Sequence, residues 1–203
     1  MRAYIVRHGQ TAWNKAGRWQ GNQDVPLDEI GIKQTKQLAA KLPAYRIGKL
    51  YSSPLRRAAM SADILRDKIG GEIAYRQGLR EVRLGEWEGF TSDEIIKKHG
   101  ELFRAWEENP AARIGLGVEN ALDLQNRAYK EFVEIVSREK NDFIIIAHGT
   151  WARCLLCKLL SVPLEKKKGF EVSNAGINVI DCDVSGKHPG FTVITLNDVS
   201  HLI

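Results

Sequence analysis

The sequence predicts an α/β fold: a single-domain three-layer sandwich, with a mostly parallel sheet flanked by helices on both faces. Three observations point there. Strand-like apolar stretches at 3–6, 49–52 and 143–147 alternate with helical patterns, the sequence form of strands joined by crossover helices. Two of these runs end alike, Ala3-Tyr4-Ile5-Val6 running into Arg7-His8-Gly9 and Phe143-Ile144-Ile145-Ile146-Ala147 into His148-Gly149. A buried strand that stops so delivers polar side chains to its carboxyl end, where open α/β sheets place their ligands. The 203 residues fit one large domain.

The elements follow in order. After the first strand, Ile32, Thr35, Ala39 and Leu42 step by three and four behind Pro26-Leu27-Asp28, which predicts an amphipathic helix. Behind the second strand, Ser52-Ser53-Pro54 precedes Leu55, Ala58, Ala62, Leu65 and Ile69, a second helix with the same spacing. Leu124, Ala128, Phe132 and Ile135 mark a longer helix before the 143–147 strand, and a further helix spans 150–160. Ile177-Asn178-Val179-Ile180 and Phe191-Thr192-Val193-Ile194-Thr195 predict two closing strands. The stretch 86–118, broken by Gly89, Gly100, Pro110, Gly115 and Gly117, reads as short helices and turns: a small cap-like insertion over the sheet edge.

Composition removes several classes. With 43% hydrophobic and 27% charged residues, the chain has the balance of a soluble globule that builds its own core. Its longest apolar runs are about five residues, against the roughly 18 of a membrane span. The chain enters a core strand almost at once, without the apolar region of a secretory signal, so a cytoplasmic location is expected. Cys154, Cys157 and Cys182 form no disulfide framework, and Cys154-Leu155-Leu156-Cys157 lacks the second pair a zinc site needs; buried structural thiols are expected. Lys166-Lys167-Lys168 is one short basic cluster, read as a solvated loop and not a nucleic-acid groove. The net charge of +5 suits an anionic small-molecule substrate. No metal or cofactor is called for, and a homodimer is left open. Trp13, Trp19, Trp87, Trp106 and Trp151 suit core packing at least as well as a pocket wall. His99, His188 and His201 receive no role.

Five polar residues stand where core packing would not place them: Arg7 and His8 after the first strand, Arg57 at the head of the next helix, Glu81 among Leu79-Arg80-Glu81, and His148 after the later strand. Together they match what phosphoryl transfer requires. A metaphosphate-like group spreads charge over three equatorial oxygens and asks for fixed cations around it. Arginine forks and a histidine provide that cage. A neutral imidazole is a competent nucleophile near neutral pH, and a carboxyl group must protonate a departing alkoxide.

These segments resemble the histidine phosphatase superfamily, also called the phosphoglycerate mutase-like family. Arg7-His8-Gly9-Gln10-Thr11 with Trp13-Asn14, Ser52-Ser53-Pro54-Leu55-Arg56-Arg57-Ala58, Leu79-Arg80-Glu81 with Gly85-Glu86-Trp87-Glu88-Gly89, Ala147-His148-Gly149 and Asn174-Ala175-Gly176 match its motifs in family order. The resemblance implies a phosphoglycerate mutase-like sandwich and a metal-independent phosphomonoesterase acting on small phosphorylated metabolites through a phosphohistidine intermediate. It makes His8 the nucleophile, Glu81 the proton donor, and Arg7, Arg57 and His148 the phosphate cage. Asn14, Gln20, Gly21 and Gly149 join the phosphate-binding wall, while Arg56 faces solvent. Gln10 and Asn120 depart from the family's usual glutamate and serine and loosen any inference about the substrate-facing wall.

Within the family, cofactor-dependent phosphoglycerate mutases carry a longer insertion rich in arginine and tyrosine for a carboxylate. Residues 90–117 hold only Arg104 and Arg113 and no tyrosine, which favours a phosphatase. An α-ribazole phosphatase and a sugar-phosphate phosphatase share the motif set. An inactive phospho-ligand-binding homologue would have lost His8, Glu81 or His148, and all three are present.

Overall fold

The computed structural model describes residues 1–42, 47–186 and 189–202. Its six-stranded sheet contains β1 (Arg2–Arg7), β2 (Ile47–Ser52), β3 (Glu72–Tyr75), β4 (Asp142–Ala147), β5 (Ile177–Asp183) and β6 (Gly190–Asp198), in the order β3-β2-β4-β1-β5-β6. The first four positions run parallel, and β5 and β6 close the sheet antiparallel. The helices are α1 (Ala12–Lys15), α2 (Glu29–Lys41), α3 (Arg56–Ile69), α4 (Ser92–Glu108), α5 (Ala121–Arg138) and α6 (Gly149–Leu159).

Both faces of the sheet are buried. Ala3 and Ile5 of β1 enter one core with Phe143, Ile145 and Ala147 of β4, while Tyr4, Val6, Ile144 and Ile146 enter the other. Two buried faces explain why these strands read as unbroken apolar runs. Helices α2 and α3 cover one face through Leu38, Ala39, Ala58, Ala62 and Leu65, and α5 and α6 cover the opposite one through Leu124, Phe132, Trp151 and Leu155. The chain therefore leaves β1 toward one face and its neighbour β4 toward the other. Where neighbouring strands part in this way, a crevice opens beyond their carboxyl ends.

Glycines seat the turn that follows β1. A Cβ on Gly9 would lie 2.4 Å from the Gly31 carbonyl oxygen, and one on Gly31 would lie 2.0 Å from that of Gln10. Only hydrogen at both positions lets the turn lie backbone to backbone on the head of α2. That helix starts at Asp28, whose carboxylate accepts from Gly31 N at 2.7 Å.

Two expectations need correcting. The four-residue strand β3 was not foreseen: it sits at the sheet edge, with an intermediate burial pattern too short to register as a period. Within 86–118 the expected short helices run end to end, two of them joined across a non-helical His99. Most of the stretch is the 17-residue α4, kinked at His99 and started by a Thr91–Glu94 capping box. Gly100 follows the kink instead of ending the helix, because Ile95 and Trp106 bury on either side of it. His201, set aside as a polar loop residue, is buried and bonded to the Ala175 carbonyl at 3.0 Å. His188 lies outside the described residues.

Candidate active site

Strand register sets the two histidines side by side. Arg7 pairs with Ala147 across β1 and β4, His8 N donates to Ala147 O at 3.1 Å, and the His8 and His148 rings lie 5.2 Å apart. His8 Nδ1 is 2.7 Å from the Gly9 carbonyl. A carbonyl only accepts, so Nδ1 carries the proton and Nε2 keeps its lone pair. Burial above all, then the charges of Arg57 and Arg7, holds the His8 pKa well below the ordinary imidazole value. The ring is neutral at neutral pH.

Arg57 is buried beside it. Its Nε donates to His8 Nε2 at 3.2 Å, and its terminal nitrogens donate to the carbonyls of Gln23 at 2.7 Å and Gly21 at 2.8 Å. Glu88 braces that loop by accepting from Asn22 N and Gln23 Nε2. Arg7 donates to Val172 O at 2.7 Å and keeps its buried Nε without a partner. Burial lowers both guanidinium groups to about 10, with the Glu81 charge opposing, so both stay cationic at neutral pH.

Glu81 reaches the same place from another direction. Its Oε2 accepts from Thr150 N at 2.9 Å, and its Oε1 from Trp151 N at 3.0 Å and Val82 N at 2.9 Å, which ties it to the amino end of α6. Arg127 holds the segment from behind, donating to the carbonyls of Gly78, Arg80 and Glu81. Of the rival carboxylates, Glu88 is spent on its loop and Glu86 is exposed; neither lines the cavity.

Arg7, His8, Asn14, Gln20, Gly21, Arg57, Glu81 and Gly149 line one cavity of about 290 Å³. Asn14 accepts from Thr11 and Asn174 through Oδ1, which leaves its amide donors for the cavity. His148 is not in the wall. It sits behind His8, its Nε2 2.8 Å from Ser53 Oγ and its Nδ1 buried without a partner. Arg56 is exposed, as expected. The Gln10 and Asn120 departures fall outside the wall: Gln10 bonds Asp28, and Asn120 caps α5 by accepting from Asp123 N.

Sequence reasoning missed much of the far wall. Trp106 and Glu107 of α4, Arg153 of α6, and Lys167 and Lys168 also line the cavity. Lys167 corrects the solvated-loop reading, for it is 3% exposed. Trp19 and Trp106 face the cavity, Trp106 from the same core cluster that holds Trp87 and Trp151. The three cysteines are buried and unpaired, and burial raises their thiols, that of Cys182 to about 12. Among the described residues no helix is long and apolar enough to cross a membrane, and no group of three or more His, Cys, Asp or Glu could hold a metal ion.

Comparison with known proteins identifies the family. The chain matches the histidine phosphatase superfamily (branch 1) over residues 3–198. It is 32% identical to Phosphoserine phosphatase 1 of Hydrogenobacter thermophilus, over 98% of this chain and 92% of that one. It is 30% identical to "Probable phosphoglycerate mutase GpmB" of Proteus mirabilis, over 100% and 95%. The solved structure of Bacillus stearothermophilus YhfR superposes with a TM-score of 0.90 at 31% identity, covering 98% of each chain. The fold and site thus define a phosphomonoesterase of small phosphorylated metabolites. The chain belongs to the histidine phosphatase superfamily.

Proposed function

We propose that this enzyme hydrolyses phosphomonoesters through a phosphohistidine formed on His8 Nε2. One observation carries the reading: a neutral imidazole presents its lone pair beside two buried guanidinium groups, with a carboxyl group in the same cavity. The phosphoryl group of a bound ester takes the place of His8 Nε2 as partner of Arg57 and meets the open Nε of Arg7. His8 Nε2 then bonds to phosphorus as the ester P–O bond breaks. Glu81 passes a proton to the leaving oxygen as that bond breaks. Its carboxylate is met by the N–H groups of Val82, Thr150 and Trp151. Water next attacks the phosphohistidine, Glu81 takes back a proton, and the P–N bond breaks to give inorganic phosphate. His148, held by Ser53, supports His8 from behind.

The cage predicts a sharp contrast on one helix. Arg57→Ala should lose about 10²–10³ in turnover, the usual cost of one charge-stabilising donor, whereas Arg56→Ala should stay near wild type. Equal losses would show that burial beside His8 does not mark the functional arginine.

The mutase reading is the competitor, favoured by the name of the Proteus mirabilis relative and opposed by that of the Hydrogenobacter thermophilus relative. A mutase must keep water from its phosphohistidine while the acid turns over in the pocket. Here the rim is wet, with the Arg18 side chain 39% and the Lys168 side chain 65% exposed. Given 3-phosphoglycerate primed with 2,3-bisphosphoglycerate, the enzyme should release inorganic phosphate faster than it forms 2-phosphoglycerate. Isomerisation that outpaces release would move the protein to the mutase branch.

A further inference from the structure

The phosphate end of the cavity leaves its far wall unexplained. Lys167 is a buried side chain that lines the cavity, its ammonium 5.3 Å from the face of Trp106 and without a hydrogen bond or ion pair among the described residues. A cation–π contact leaves its three N–H donors free for a ligand. Arg153 uses Nε on the Phe170 carbonyl at 2.8 Å and has no carboxylate partner for its fork among the described residues. Glu107 gives one oxygen to Lys168 at 2.5 Å and leaves Oε1 buried without a partner. Two unpaired cations and one open acceptor therefore share the cavity with His8.

Spacing relates them to the phosphate. Gly149 lies against Arg7, and Arg153 follows it by four residues on α6, one turn along the same face. That is about 6 Å of helix rise, the scale that separates the phosphoryl group from the carboxylate of a three-carbon acid. A carboxylate suits a guanidinium fork and an ammonium, whereas a second phosphate would press its extra charge on Glu107.

We infer that Arg153 and Lys167 form a carboxylate subsite, with Glu107 accepting a hydrogen bond from an adjacent hydroxyl or ammonium, so that the substrate is a small phosphorylated α-hydroxy or α-amino acid. This rests on the phosphatase reading and names its substrate class.

The test compares esters that differ at the carboxylate: O-phosphoserine against O-phosphoethanolamine, and 3-phosphoglycerate against glycerol 3-phosphate. Wild type should prefer each acid in kcat/KM by about 10- to 100-fold, the worth of a charged hydrogen-bonded contact. Arg153→Met and Lys167→Met should bring the ratio toward one, while Lys167→Arg restores it. Lys166→Met removes a charge from the same turn but on the exposed side, and should leave the ratio unchanged. If Lys167→Met does not fold, Arg153→Met alone decides. A wild-type ratio near one, or a ratio that survives loss of Arg153, overturns the subsite. Phosphate release tells the two readings apart: release from the esters without acid preference removes the subsite alone, and no release from any of the four esters or from p-nitrophenyl phosphate removes the phosphatase itself.

Discussion

His8→Ala should lose on the order of 10⁴-fold or more in kcat on every phosphomonoester, because no other group in the cavity can carry the phosphoryl group. His148 is the nearest imidazole, but it is fully buried, committed to Ser53 and behind the His8 ring. The two arginines stay protonated, and the cysteine thiols lie in the core. The substitution should leave the phosphate cage standing, since Arg57 keeps its bonds to Gly21 and Gln23 and Arg7 its bond to Val172. Substrate should therefore still bind. A variant within about tenfold of wild type, a change of only about 1.4 kcal/mol in the barrier, would mean that His8 is not the nucleophile.

Glu81→Gln should show a loss that depends on the leaving group. An alkoxide needs a proton as the P–O bond breaks, so alkyl phosphates should slow by about 10²–10⁴. The p-nitrophenolate ion leaves without one, and its ester should slow far less. The amide keeps the carboxylate's shape but sets one donor against the N–H groups of Val82, Thr150 and Trp151, so some general loss is expected. That loss falls on both substrates, and the ratio between them isolates the proton. Equal loss on both, measured as kcat/KM, would remove Glu81 from the role.

How far the sequence foretold this site follows from how each residue gets there. Arg7, His8 and Gly149 were legible because each stands where a core strand ends, and parallel strands bring such ends together whatever the loops do. Arg57 stood out from Arg56 only through the family pattern; the structure supplies the reason, with Arg57 on the buried face of α3 and its neighbour in solvent. Ser53 entered only as part of the segment before a helix, and nothing local says that its hydroxyl meets His148. The far wall was illegible for the same reason. Lys167 sits in a run of three lysines that looks solvated, and only the packing of the Leu164–Gly169 turn against α6 and Trp106 buries the middle one. The joining of α4 into one element was hidden by Gly100 and by charges on its outer face, although Thr91 and Glu94 mark its start.

The most direct test of the central claim is to catch the phosphoryl group on the protein. Wild type mixed briefly with radiolabelled phosphomonoester and quenched in base should hold label that survives base and is released by acid, as a nitrogen-bound phosphate is. Mapping should place that label on the peptide containing His8, and His8→Ala should hold none. Label that is stable in acid, or that persists in His8→Ala, would contradict the account.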